Sequence, residues 1–251
     1  MFAHALAKIA ARVPSTWKYK AKRLRPLYSG LMALGQHRVV VRTEAGEFSW
    51  VVDKFISQGV LLGTYEPYMQ DALRRFLKAG DVFYDIGAQV GFHSFVGALL
   101  VGPAGRVFAF EPSPVNQACI RKQIAENPHL HVSIVPYAII DRSGPVRFGA
   151  GPNSSQGHIR EDGEWTVEAR TLDCLLASGT LPPPAVIKID VEGSESAVLS
   201  GAVRLIADHR PVVLCDYNDG TTFDMVRRHL APLGYEIIEG PPVIGCPVSV
   251  G

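Results

Sequence analysis

Residues Asp81 to Gly97, Asp-Val-Phe-Tyr-Asp-Ile-Gly-Ala-Gln-Val-Gly-Phe-His-Ser-Phe-Val-Gly, leave little freedom in how the surrounding chain folds. Val82 to Ile86 are apolar or aromatic except at Asp85, the pattern of a short strand covered on both faces. Gly87 and Gly91 follow four apart, and Phe92, Phe95, Val96, Leu99 and Leu100 then recur at helical spacing. The unit reads strand, glycine turn, helix. In an open α/β sheet the carboxyl end of such a strand is where ligands sit.

The turn narrows the ligand. A pyrophosphate-binding turn reads Gly-x-Gly-x-x-Gly, tight enough for phosphate oxygens to rest on the helix N-terminus. Here Asp85-x-Gly87-x-x-x-Gly91 sets a carboxylate where a phosphate would be repelled. A cationic nucleoside without phosphate suits it better, and S-adenosylmethionine offers an ammonium, a sulfonium and an adenosine. Val107 to Glu111 form a second apolar strand ending in an acid, and an acid at that tip is placed to accept both ribose hydroxyls. Either carboxylate alone reads equally well as a polar strand end. The pair with the glycine turn reads as a site.

At 251 residues the chain can bury one substantial core. Residues 1–60 are expected to form a basic extension with helical and β-hairpin parts, and residues 61–251 one domain. Net charge is only +1, but no Asp or Glu precedes Glu44 while nine of the 25 Lys and Arg do, which leaves 16 cations against 24 acids in the remainder. Such a basic arm fits an anionic partner or membrane surface, and equally its own acidic body or a neighbouring subunit. Trp17, Tyr19 and Leu24 among the cations keep a peripheral membrane contact open, as they do an oligomer.

No stretch approaches the length of a membrane span, and Met1 to Arg12, broken by His4 and Lys8, lacks the apolar run of a secretory signal. Cys119, Cys174, Cys215 and Cys246 fall at no metal or redox spacing, so a reduced, cytoplasmic protein is expected.

Along the chain, Val39 to Arg42 and Glu47 to Val52 read as a β-hairpin, and Glu66 to Leu77 as a helix with Pro67 near its start. Ser113-Pro114 opens a helix running to about Asn127, and His131 to Ala138 is a third strand with Asp141 just past its end. Between Gly144 and Arg170 only short strand-like pieces flank a polar, glycine-rich loop at 151–157, a candidate lid or a plain surface insertion. A short helix starts at Thr171. A fourth strand, Ala185 to Asp190, carries Glu192-Gly193 behind it, and Pro211 to Cys215 is the next strand, followed by a helix over Thr222 to Leu233. Tyr235 to Ile238 and Val248 to Val250 close the pattern. The alternation gives right-handed βαβ units and a doubly wound, mainly parallel sheet with one antiparallel strand.

With the first and fourth strands adjacent, Asp85, Glu111, Asp190 and Glu192 converge on one edge. A donor in the half built by the first three strands leaves Asp190 and Glu192 facing the entering acceptor. An alcohol acceptor loses its proton, and Asp190 is the first choice to take it, with Glu192 or His93 next. Structural readings stand beside these: Asp190 could cap the following helix, and Glu192 could pair with a surface cation such as Lys188. A divalent cation on Asp190, Glu192 and Asp216 would serve the same deprotonation, but their spacing forms no recognised metal motif and no metal is expected.

Gly80 to Ser94, Phe110-Glu-Pro-Ser-Pro114, Ala138-Ile-Ile-Asp141, Arg170-Thr-Leu-Asp173 and Lys188-Ile-Asp-Val-Glu-Gly193, in this order, resemble the FkbM family of S-adenosylmethionine-dependent methyltransferases. The resemblance covers roughly Tyr65 to Asp216. It implies a class I, Rossmann-like methyltransferase fold, S-adenosylmethionine as methyl donor with S-adenosylhomocysteine as product, and O-methylation of a hydroxyl, commonly on a sugar, glycan or polyketide-type acceptor. By position it assigns Asp85, Gly87, Ala88, Gly91 and Ser94 to the methionine and glycine-turn site. Glu111 and Pro112 fall at the ribose, Asp141 at the adenine, and Asp190 and Glu192 at the acceptor side. Tyr65-Glu66 matches an upstream segment that often approaches the cofactor. Gln89 departs from the Asn usual there.

Other classes stay open. A nicotinamide-dependent oxidoreductase shares the fold, but the glycine spacing is wrong for it and no Tyr-x-x-x-Lys pair occurs. A nucleic-acid base methyltransferase would more often carry an Asn/Asp-Pro-Pro-aromatic turn after the fourth strand, and the acidic edge does not invite phosphates, so no nucleic-acid partner is expected. A non-catalytic cofactor-binding or scaffold protein would bind the donor and turn over nothing.

Overall fold

The computed structural model describes residues 37–52, 57–150, 157–160, 162–217 and 220–248. The basic arm, most of the 151–157 loop and the end of the expected final strand lie outside the described residues.

Strand β3 (Val82–Ile86) is central, as its two-sided apolar sequence demands. Beside it run β4 (Arg106–Phe110) and β5 (Val132–Val135) on one side, and β10 (Val186–Ile189) and β11 (Val212–Cys215) on the other, all parallel. Then β13 (Val243–Pro247) enters antiparallel and β12 (Tyr235–Ile238) closes the edge, giving the order β12-β13-β11-β10-β3-β4-β5. This is a doubly wound, mainly parallel sheet in which the antiparallel strand is β13.

Alternate residues of these strands enter different cores, which is the period of a pleated sheet covered twice. Phe83, Val107, Val186 and Leu214 pack with α2 (Pro67–Phe76), α3 (Phe92–Val101) and α4 (Pro114–Glu126). Tyr84, Phe108, Ile187 and Val213 pack with α5 (Leu172–Ala177), α6 (Glu195–Ser200), α7 (Val203–His209) and α8 (Gly220–Leu230).

The hairpin of β1 (His37–Thr43) and β2 (Gly46–Val52) belongs to the first of these cores, with Val41 and Trp50 fully buried and Phe48 stacked on Phe95. Side-chain amides of α4 dock it. Val51 N–H donates to Gln123 Oε1 (2.8 Å), whose Nε2 donates back to the Val51 carbonyl (3.1 Å), and Asn127 treats Ser49 the same way. Each amide imitates a neighbouring strand, so the hairpin edge is satisfied without sheet extension. Helix α1 (Gln58–Leu62) leads from the hairpin to α2.

Three sequence expectations need correcting. The third strand stops at Val135, because Pro136 lacks the N–H to continue the ladder; the chain then changes sheet, and β6 (Ala138–Ile139) joins β7 (Gly144–Ala150), β8 (Gly157–Ile159) and β9 (Trp165–Arg170) in a separate four-stranded sheet. A strand that the sequence reading did not place runs over Val243–Pro247, its alternation hidden by Gly245, where a Cβ would meet Leu230 Cδ1 at 2.4 Å. Lys188 is no surface cation: it is 1% exposed.

Candidate active site

Register across the parallel strands sets the site. Val135, Phe110, Ile86, Ile189 and Cys215 are aligned neighbours, so the five strands end together and the next residues stand in a row along one edge. Those residues include Glu111, Gly87, Asp190 and Asp216, and all four line a cleft of about 280 Å³. Open α/β sheets bind ligands at this edge, outside the carboxyl ends of the strands and where the order reverses.

The turn after β3 is closed by backbone. Gly87 and Ala88 N–H groups both donate to the Phe110 carbonyl (3.1 and 3.0 Å), which ties the turn to the tip of β4. Gly87 holds φ +80, and a Cβ there would fall 1.8 Å from the Asp190 carbonyl oxygen, so only glycine allows β3 and β10 to stay paired to their ends. Gln89 N–H donates to Glu111 Oε2 (2.9 Å) and Ser113 N–H to Glu111 Oε1 (2.8 Å). Both carboxylate oxygens are thus aimed by main chain. Burial lifts the Glu111 carboxyl from 4.5 to about 7, against the pull of the Ser113, Asn116 and Gln89 hydrogen bonds.

Beyond β10 the edge is held by side chains. Lys188 Nζ lies 3.3 Å from Asp85 Oδ1 and donates to Asp190 Oδ2 at 3.2 Å. Burial works against its charge, yet Asp190, Asp85 and Glu66 together outweigh burial and hold the ammonium's pKa above its ordinary value. Asp85, fully buried, also accepts from Ser94 Oγ (2.6 Å). Asp216 Oδ1 accepts from the Tyr68 hydroxyl (3.0 Å).

Glu66 and His93 complete this edge. Glu66 Oε2 and His93 Nε2 are both buried, both without a hydrogen-bond partner, and 3.8 Å apart, beyond hydrogen-bond reach. Burial raises the Glu66 carboxyl from 4.5 to about 7, with Lys188 pulling down and Asp190 pushing up. Burial, then Lys188, keeps the His93 imidazole well below its usual value and therefore neutral.

Of the residues expected at the site, Glu66, Gly87, Ala88, His93, Glu111, Pro112, Asp190 and Glu192 line the cleft. Asp85, Gly91 and Ser94 do not. Asp85 was expected to meet the donor's cationic end, but its carboxylate is engaged beneath the floor by Lys188 and Ser94, and Gly91 begins α3 against Ile120. Asp141 is not brought to the cleft either: the chain has left the main sheet by then, and its exposed carboxylate pairs with Arg142. The wall there is formed by Tyr137 and by Phe148 and Ile159, reaching in from the four-stranded sheet. Gly157, the described end of the expected lid loop, joins them. Among the described residues no group of three or more His, Cys, Asp or Glu is placed to hold a metal ion.

Backbone strain concentrates at the same place. Four non-glycine residues among those described have left-handed φ, and three of them, Glu66, Gln89 and Glu192, line the cleft. Such conformations persist where surrounding structure over-determines them, and they cluster at functional sites.

A sheet of this order, with its acidic edge beyond β3, β4 and β10, defines the class I methyltransferase fold. The family described as Methyltransferase FkbM domain matches residues 85–237, more than half of the chain, and the chain belongs to that family. It is 32% identical over 144 residues to the hexuronic acid methyltransferase AglP of Haloferax volcanii, across 55% of this chain and 57% of AglP, so it spans less than two thirds of that relative. It is 26% identical over 169 residues to the 2-O-methyltransferase NoeI of Sinorhizobium fredii, across 59% and 67% of the two chains. Among solved structures, the FkbM methyltransferase from Methylobacillus flagellatus superposes with a TM-score of 0.49 at 15% identity, covering 91% of this chain and 60% of that one. Among the described residues no helix is long and apolar enough to cross a membrane.

Proposed function

We propose that the chain binds S-adenosylmethionine at the β3–β4 edge and transfers its methyl group to a hydroxyl of a sugar or related natural product entering at the β10–β11 edge. The observation that carries this reading is the aligned row of strand tips, which sets Glu111 across the turn after β3 from Asp190 and Asp216, with Glu66 lining the same cleft from the start of α2. Membership of a methyltransferase family supports the reaction. The names of the two relatives, a hexuronic acid methyltransferase and a 2-O-methyltransferase, support a sugar acceptor.

The residues present fit that donor. Glu111 keeps both oxygens fixed by N–H groups and retains lone pairs for a ribose diol. Gln89, Pro112 and Asn116 border the same half. The unpartnered Glu66 Oε2 and His93 Nε2 mark polar atoms whose partner the protein does not supply. Bound there, the donor supplies an electrophilic methyl on a sulfonium. Asp190, fixed by Lys188, accepts a hydrogen bond from a neighbouring hydroxyl of the acceptor and so orients the sugar.

Calorimetry with S-adenosylmethionine, followed by transfer of a labelled methyl group to a panel of neutral and uronic methyl glycosides, tests the reading. Binding with transfer to at least one sugar hydroxyl, lost in Asp190→Asn while donor affinity is kept, is the expected result. Absence of donor binding overturns it, and binding without any transfer leaves a non-catalytic nucleoside-binding protein.

A further inference from the structure

We propose that Glu66 is the carboxylate that takes the proton from the acceptor hydroxyl, and that its readiness to do so is coupled to the positive charge of the methyl donor. The inference rests on the methyltransferase reading and deepens it.

Geometry separates Glu66 from the other acids of the cleft. Both oxygens of Glu111 accept main-chain N–H groups, Asp190 Oδ2 accepts from Lys188, and Asp216 Oδ1 accepts from Tyr68. Glu66 is hydrogen-bonded to Tyr65 but keeps Oε2 buried and unpartnered, at the cleft and 3.8 Å from the equally unpartnered His93 Nε2. A buried polar atom left unsatisfied costs about 1–3 kcal/mol, so two facing each other call for a missing third group. A hydroxyl fits: it donates to Glu66 and accepts from Nε2–H of a neutral His93. The backbone enforces the placement. Glu66 stands at φ +41 directly before α2, and its carbonyl accepts from Met69 and Gln70 N–H (3.0 and 3.2 Å), so the cap holds the residue in its strained conformation.

The charges around Glu66 make its proton occupancy adjustable. It is faced by Lys188 from β10, Asp190 and Asp216 just beyond β10 and β11, Tyr65 beside it, Tyr68 from α2 and His93 from α3. In the unliganded protein burial leaves its carboxyl near 7, part protonated at neutral pH. A sulfonium nearby favours the anion and empties it. On transfer, the hydroxyl oxygen's electron pair forms the new C–O bond, the S–C pair stays on sulfur, and the proton passes to Glu66 Oε2. Sulfur is then a neutral thioether. The charge that depressed Glu66's proton affinity is gone at the step that needs it, so the group is an emptied base before transfer and a stable acid after it.

Proton release on binding tests this without an acceptor. Isothermal calorimetry at pH 6.5–7 in buffers of different ionisation enthalpy, with S-adenosylmethionine and with S-adenosylhomocysteine, cancels the ribose, ammonium and carboxylate that both ligands share. Only the sulfonium differs. The donor is expected to release about half a proton more than the product, for a shift of about one pKa unit by a nearby charge, and the affinity ratio of donor to product should rise about tenfold between pH 5.5 and 8. Glu66→Gln should abolish both effects, while Asp190→Asn, which removes a charge that raises the Glu66 carboxyl, should move them to lower pH without abolishing them. Equal release by the two ligands in the wild type overturns the inference, and that comparison decides even if Glu66→Gln does not fold. A difference that persists in Glu66→Gln, or disappears only in Asp190→Asn, moves the proton to another group. If neither ligand binds, the methyltransferase reading itself fails.

Discussion

On the β3–β4 edge of the cleft, Glu111 is aimed by main-chain N–H groups of Gln89 and Ser113; on the β10–β11 edge, Asp190 and Asp216 are aimed by the side chains of Lys188 and Tyr68. The first arrangement is built into the turn and changes little with protonation elsewhere. In the second, Asp85, Lys188, Asp190 and Glu66 act on one another's charge, so altering one alters the rest. A rigid half suits recognition of a fixed nucleoside. A coupled half suits a step in which a proton moves.

The comparison breaks most sharply at Lys188. Lys188→Met leaves Asp85 fully buried beside Ser94 with no cation, and loss of one partner from a buried pair costs about 3–5 kcal/mol. Urea unfolding should show a midpoint lowered accordingly. A change below about 1 kcal/mol would mean that the charge network contributes little to holding β3 against β10.

Next in size is Glu111→Ala, which acts on the other edge and on binding. Hydrogen bonds to a charged group are worth about 1.5–3 kcal/mol, so donor and product affinity should both fall about 10- to 100-fold in calorimetry. Wild-type affinity would remove Glu111 from the ribose position.

Both edges contribute to the pH dependence of the unliganded protein. Glu66 and Glu111 are raised from 4.5 to about 7, so the folded state binds these protons more tightly than the unfolded chain. Their contribution to stability is fully present below pH 4.5 and is lost as pH rises through 7. Melting temperature of the wild type should therefore fall over that window, relative to Glu66→Gln with Glu111→Gln, by on the order of ten degrees. Parallel curves for the two proteins would show that neither carboxyl is raised.

How much of this was legible depended on whether a residue's neighbours were local. Gly87 and Glu111 could be read because a strand tip and the turn after it are set by a few consecutive residues. Lys188 could not be read that way, since a lone cation in an apolar strand suggests an outward side chain, and a strand covered on both faces has no outward side. A signal was nonetheless there. Asp85 and Lys188 are each the single charge of an otherwise apolar strand, the two strands were expected to be adjacent, and the structure puts the two residues directly opposite. Asp141 lies away from the cleft for the converse reason: its expected position assumed an unbroken strand, and Pro136 had already ended the ladder. Tyr137, Phe148 and Ile159 depended on the pairing of β6 to β9, which no local pattern announces.

The smallest expected effect concerns Gln89, whose backbone conformation sets what side chain suits the position. At φ +53 the residue occupies the left-handed region, which Asn and Gly tolerate and other side chains adopt at a cost. Its N–H, not its side chain, fixes Glu111. Gln89→Asn should therefore raise stability by roughly 0.5–1 kcal/mol and leave donor affinity unchanged, because the amide that aims Glu111 is retained. Should affinity drop instead, the longer side chain itself contacts the ligand, and the β3–β4 edge could no longer be described as held and read through the main chain.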